Sequence, residues 1–213
     1  MTQILLFNKP YGIPSTFTDS LGRETLKSYI PVEGVYSAGR LDLDSEGLLI
    51  LTDDGDLIHQ LTDPVHHILK TYLVQVEGTI SPEALSQLER GVEIQGYQTR
   101  PCRVIVVPEP ELPPRAKPIT PHGPTCWCRL ELVEGKKRQI RHMTAAVGLP
   151  TLRLVRVAIG PIHLEGLQPG AWRALSAAEQ SLLRKALDKN SSARNGAGVK
   201  PGKIRRPVSR GGN

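Results

Sequence analysis

Two observations make this sequence predict an α+β fold: short runs of strand length recur along most of the chain, and only a few segments between them carry the start and stop signals of helices. With 213 residues the chain is long enough for one sizeable core or two closely joined subdomains, divided at about residue 66 (1–66 and 67–187).

The run Ile4-Leu5-Leu6-Phe7 is an opening strand, stopped by the proline and glycine of Lys9-Pro10-Tyr11-Gly12. Val35 to Ala38 and Leu48 to Thr52 are further strands. After the Asp53-Asp54-Gly55 turn, Asp56 to Leu61 forms a short helix, and Pro64 closes that section. Thr71 to Glu77 alternates apolar and polar residues as a half-buried strand does. Ser81-Pro82-Glu83 then supplies an N-cap, a proline at the first helical position and an acid in the first turn, and Gly91 ends the helix. Val104 to Val107 is a buried strand.

Seven prolines between residues 108 and 124 remove backbone donors too often for regular structure, so this segment is an insertion between strands. A strand over Trp127 to Leu132, a helix from about Lys137 to Val147 and a strand over Leu152 to Val157 follow. Ser176-Ala177-Ala178-Glu179 is a capping box opening a last helix that runs to about Leu187. Residues 188–213 are rich in Gly, Ser, Pro, Lys and Arg and are expected to form a disordered basic tail.

Charge is unevenly spread. Residues 1–64 hold ten acids against four Lys or Arg, residues 129–156 hold seven Lys or Arg against two acids, and residues 189–213 hold seven Lys or Arg and no acid. The net +6 is therefore concentrated where a polyanion can be gripped. The apolar run at the start is too short for a secretory signal or a membrane span, which points to a soluble cytoplasmic protein with no membrane partner. Three cysteines, Cys102, Cys126 and Cys128, cannot complete a disulfide framework and suit a reducing compartment. A zinc site from His122, Cys126 and Cys128 is disfavoured, because alternating side chains of a strand explain the cysteine spacing at least as well.

Chemistry gathers first in Gly39-Arg40-Leu41-Asp42-Leu43-Asp44-Ser45-Glu46-Gly47, a loop of three carboxylates anchored by the strand that follows. Asp42, Asp44 and Glu46 match the first half of a calcium loop, but position twelve is Asp53 in place of a longer Glu, and no helix enters the loop. The competing readings are a solvated acidic loop and a catalytic Asp presented beside Arg40. A second cluster, Glu134-Gly135-Lys136-Lys137-Arg138-Gln139-Ile140-Arg141-His142, read alone is a solvated basic helix.

Taken in order, Lys9-Pro10-Tyr11-Gly12, Gly39-Arg40-Leu41-Asp42 with Ser45-Glu46-Gly47-Leu48-Leu49, Lys70-Thr71-Tyr72 and Glu134 to Arg141 resemble the motif series of the RsuA-type pseudouridine synthases over about residues 4–183. Phe17-Thr18-Asp19, Val35 to Gly39 and Thr151 to Leu154 look most like the branch called RluE, which acts on large-subunit ribosomal RNA. Leu43 and His142 depart from that branch, which often carries Arg at both places.

The resemblance implies a mixed, largely antiparallel sheet with flanking helices and a central catalytic cleft, and no S4 RNA-binding module before the first strand. It implies isomerisation of a uridine in ribosomal RNA without cofactor or metal; a monomer is expected. Asp42 matches the catalytic aspartate, Arg141 the basic residue paired with it, and Tyr72 the aromatic against the uracil. Arg40 is expected to help hold the everted nucleotide. Lys9, Lys70, Lys136, Lys137, Arg138, Arg153 and Arg156 are expected to bind RNA, setting affinity without reading sequence. A rival reading is a non-catalytic RNA-binding or ribosome-assembly protein on the same fold.

Overall fold

A computed structural model describes residues 2–195. Its centre is a nine-stranded sheet in which β11-β1-β3-β9-β4-β8-β7 are neighbours in that order, with β2 (Tyr36–Ser37) beside β3 and β10 (Ile162–His163) beside β9. The path strands are β1 (Ile4–Lys9), β3 (Glu46–Thr52), β4 (Lys70–Glu77), β7 (Arg103–Val107), β8 (Thr125–Leu132), β9 (Thr151–Ile159) and β11 (Trp172–Ala174). Every pairing is antiparallel except that of β3 with β9, a short parallel seam in which Glu46 faces Val155 and Gly47 faces Arg156. A separate hairpin joins β5 (Glu93–Ile94) to β6 (Tyr97–Gln98).

Period-two alternation decides which core each strand serves. In β3, Leu48 and Ile50 turn to one face, where α1 (Gly55–Thr62) and α4 (Ala177–Asn195) supply Leu57, Leu61, Leu183 and Leu187. Leu49 and Leu51 turn to the other, against Phe7, Ile13, Leu26 and Ile30. Burial of both faces accounts for the continuous apolar run. A third core lies under β4, β8 and β7, where α2 (Pro82–Arg90) and α3 (Gln139–Ala146) cover Val74, Val76, Leu130 and Leu132.

The division expected at about residue 66 does not split the chain in sequence. β11 pairs with β1 and α4 packs on the first-half core, so the end of the fold returns to its beginning. The last helix continues to Asn195, eight residues past the expected Leu187, and the expected tail from residue 196 lies outside the described residues. Among the described residues, no helix is long and apolar enough to cross a membrane.

Candidate active site

The Asp42 loop is fastened from beneath. Ser15 Oγ donates to the Leu41 carbonyl at 2.9 Å and accepts from the Leu41 N–H at 3.0 Å, while the Gly12 N–H donates to the Leu43 carbonyl at 2.8 Å. The loop is therefore a rigid shelf at the start of β3. Gly47 lets that strand reach the seam: it has φ +103°, and a Cβ there would lie 2.2 Å from the Arg156 carbonyl oxygen. No other residue fits so close a backbone approach.

Asp42 lines a cavity of about 530 Å³ together with Arg40, Tyr72, Arg156, Lys70 and the Glu134 to Ile140 segment. Tyr72 and Arg156 come from β4 and β9, where they are directly paired across the strands, so their side chains stand on the same face of the sheet. The lining carries six Lys or Arg (40, 70, 136, 137, 138 and 156) against the acids Asp42 and Glu134. Its volume suits a single nucleotide.

The basic segment is shaped by Glu134, which is 4% exposed. Its carboxylate accepts from Tyr97 OH at 2.6 Å, from the Arg100 N–H at 3.0 Å and from Gln139 Nε2. Gln139 Oε1 in turn accepts from the Lys136 N–H at 2.9 Å, drawing the loop onto the first turn of α3. Helix α3 starts two residues later than expected because Arg138 sits left-handed at φ +52° in the N-cap position. Its side chain does not cap the helix but reaches Asp44 through two bonds of 2.9 Å.

This corrects the expected pairing of Arg141 with Asp42. Arg141 Nη2 donates to the Asp44 main-chain oxygen at 2.7 Å, and Nε lies 3.4 Å from Asp44 Oδ2, so the direct carboxylate partner is Asp44. Burial lowers the basicity of Arg141; Asp44 opposes that shift, Arg138 adds to it and Asp42 opposes it again, which places the Asp42 charge within electrostatic reach. Burial raises the Asp44 carboxyl, yet the Arg138 fork and the charges of Arg141 and Arg138 outweigh it and hold the group below its usual range.

Two expected RNA contacts point elsewhere. Lys9 is fully buried and donates to the carbonyls of Ile13 at 2.6 Å and Pro10 at 3.0 Å. Burial lowers its pKa from 10.5 to about 8 against the raising effects of Glu46, Asp44 and Asp42, so it is a cation beneath the acid loop with no path to a phosphate. Arg153 is 9% exposed and forks onto Glu46 at 2.9 and 2.8 Å, on a second cavity of about 540 Å³ that Asp42 does not line. Arg138 and Arg153 thus claim the carboxylates of Asp44 and Glu46, and the loop is no calcium cage. Arg40, Lys136 and Lys137 are exposed along the cleft, as expected for contacts with a polyanion.

Sequence reasoning missed Ser15, and although it singled out the segments that hold Asp44, Glu134 and Gln139, it gave these three no role in shaping the site. The capping of Lys136 by Gln139 was visible as a spacing of three, but no local signal joins Ser15 to Leu41 or Arg138 to Asp44.

Residues 3–146 match the family described as RNA pseudouridylate synthase. A protein of Vibrio vulnificus (strain CMCP6) named ribosomal large subunit pseudouridine synthase E is 48% identical over 176 residues, covering 82% of this chain and 75% of the relative. One of the same name from Xanthomonas axonopodis pv. citri (strain 306) is 52% identical over 176 residues, covering 80% of this chain and 93% of the relative. A solved structure described as a pseudouridylate synthase superposes with a TM-score of 0.74 at 29% identity, over 86% of this chain and 74% of its own. Matched over well more than half of its length by one family model and about half identical to two of its members, the chain belongs to the RNA pseudouridylate synthase family.

Proposed function

We propose that this protein isomerises a specific uridine of large-subunit ribosomal RNA to pseudouridine, with Asp42 as the catalytic residue. The observation that carries the reading is the placement of Asp42 and Tyr72 in one cavity whose lining is dominated by cations. A uridine in structured RNA reaches such a cavity by leaving its stack, at a cost of roughly a few kcal/mol. Arg40, exposed on the shelf beside Asp42, supports the displaced strand, and Lys136 and Lys137 meet its phosphates.

Asp42 acts on the nucleoside either as a nucleophile or as the group that assists cleavage of the C1′–N1 bond; Tyr72, against the base, suits removal of the C5 proton after the new carbon link forms. Arg141 acts through Asp44, as a positioning residue that fixes the shelf. The target on the large subunit is supported by the names and identities of the two bacterial relatives.

The test is pseudouridine mapping of a large-subunit RNA transcript treated with wild type or Asp42→Asn. Loss of the product with RNA affinity kept within about tenfold is expected, since Asp42 is not a phosphate contact. Full activity of the variant overturns the assignment, and a wild type that binds RNA without modifying it favours the assembly-protein reading.

A further inference from the structure

Breaking the C1′–N1 bond of a uridine, the reaction proposed above and the premise here, leaves the bonding pair on the base. Whether Asp42 attacks C1′ or takes a proton from the sugar, the detached uracil is an anion whose charge is shared among N1, O2 and O4. It must turn in place, form the C1′–C5 bond with the same pair of electrons, and release the C5 proton. Holding it through that sequence calls for fixed donors not already spent on protein acceptors.

The cavity contains such donors. Arg156 is 3% exposed; its Nε donates to the Leu48 carbonyl at 2.8 Å, but its Nη2 is buried with no hydrogen-bond partner among the described residues. Ser45 Oγ, on the same cavity lining, is likewise buried and unpartnered among them. Lys70 makes, among the described residues, a single long bond, 3.4 Å to the Ile68 carbonyl. A buried guanidinium N–H left without an acceptor is costly in a resting protein. Its cost is offset when an anion arrives beside it.

Position distinguishes the base from a phosphate as the occupant. Arg156 stands next to Tyr72 across β9 and β4, and on its other side the Gly47 backbone closes the sheet. A phosphate linked to sugars on both sides does not enter so buried a corner, whereas a flat ring freed from its sugar does. The exposed Arg40, Lys136 and Lys137 already serve the strand outside.

We propose that Arg156 and Lys70 form an anion seat for the detached uracil, donating from Nη2 and Nζ to its carbonyl oxygens through cleavage and rotation, with Ser45 Oγ as a third partner. Burial, and then the charge of Arg156, lowers the Lys70 pKa from 10.5 to about 8, which leaves it mostly protonated at neutral pH. Both groups were expected from sequence to bind RNA, Arg156 through phosphates. As a seat for the anion they govern the rate of cleavage and leave affinity for RNA nearly untouched.

A leaving-group experiment tests this. Transcripts carrying either uridine or 5-fluorouridine at the target are converted under single-turnover conditions by wild type, Arg156→Lys, Arg156→Met and Lys70→Met, and loss of the N-linked nucleoside is followed. Fluorine withdraws electrons and stabilises the departing anion, so it substitutes in part for the missing donors. On uridine the Met variants are expected to lose about 100-fold in rate, as when one oxyanion donor is removed, with RNA affinity unchanged. On 5-fluorouridine the deficit shrinks by about tenfold or more, and Arg156→Lys recovers part of the rate by keeping the charge.

An equal deficit on both transcripts shows a purely structural role and overturns the proposal. So does weakened RNA binding with unchanged single-turnover rate, the mark of a phosphate contact. If Arg156→Met does not fold because the Leu48 carbonyl loses its donor, Lys70→Met carries the same comparison. A wild type inert on both transcripts refutes the function itself; an active wild type with unaffected Met variants refutes only the anion seat.

Discussion

Arg138 grips Asp44 with two bonds of 2.9 Å, from a left-handed backbone position at the threshold of α3. The carboxylate faces Arg141 as well, so one acid ties the shelf before β3 to both the N-cap and the first turn of α3. Replacing Asp44 by Asn removes the countercharge of both cations and leaves Asp42 as the acid that attracts them.

Asp44→Asn is expected to lower turnover about 10- to 100-fold, through a misplaced Asp42, with RNA affinity little changed. It also alters acid stability. A carboxyl held below its usual range in the fold contributes stability that is full above its unfolded pKa and is lost as pH falls through the folded value. Denaturant titrations from pH 5 downward are therefore expected to fall less steeply for the variant than for wild type, and parallel curves would deny Asp44 this role.

Lys70→Met tests the buried ammonium from the opposite side. The folded pKa of about 8 lies below the ordinary 10.5, so between those values the unfolded chain binds the extra proton and wild-type stability rises with pH. The variant is expected to be more stable than wild type at pH 7 by up to about 3 kcal/mol. That advantage fades between about pH 8 and 10.5. A difference independent of pH in urea melts would place the ammonium in water.

Gly47→Ala inserts a methyl 2.2 Å from the Arg156 carbonyl oxygen at a φ of +103°. Strand separation at the seam is the expected result, with a loss of more than about 3 kcal/mol or an insoluble product. A wild-type urea midpoint would contradict the close approach of β3 and β9.

Ser15→Ala deletes a hydroxyl that both donates to and accepts from Leu41. Two buried backbone groups lose their partner, for about 1–3 kcal/mol of stability. Because Leu41 adjoins Asp42, turnover is expected to fall more than substrate affinity, which steady-state kinetics on a transcript can separate.

The strands and helices with strong periodicity were legible in the sequence. Leu48 to Leu51 declared itself by being apolar on both faces, and Ser81-Pro82 with Gly91 bracketed α2 as expected. The hairpin of β5 and β6 and the short β10 and β11 were not, since two or three residues carry no period and are held by their neighbours. In the site, composition marked the basic segment and the acid loop. It did not say which acid meets which arginine: Asp42 and Asp44 are two residues apart, and only the turn between them decides that Asp44 faces α3. Lys9 was misjudged because burial, not residue type, determines whether a lysine is a surface charge.

The seam of β3 and β9 has a consequence for synthesis. Asp42 precedes it in the chain, Tyr72 stands on β4 across β9 from it, and Arg156 is itself a member of one of its two residue pairs. A nascent chain not yet extended through β9 therefore has its acid and its aromatic but lacks the strand that joins them into one floor.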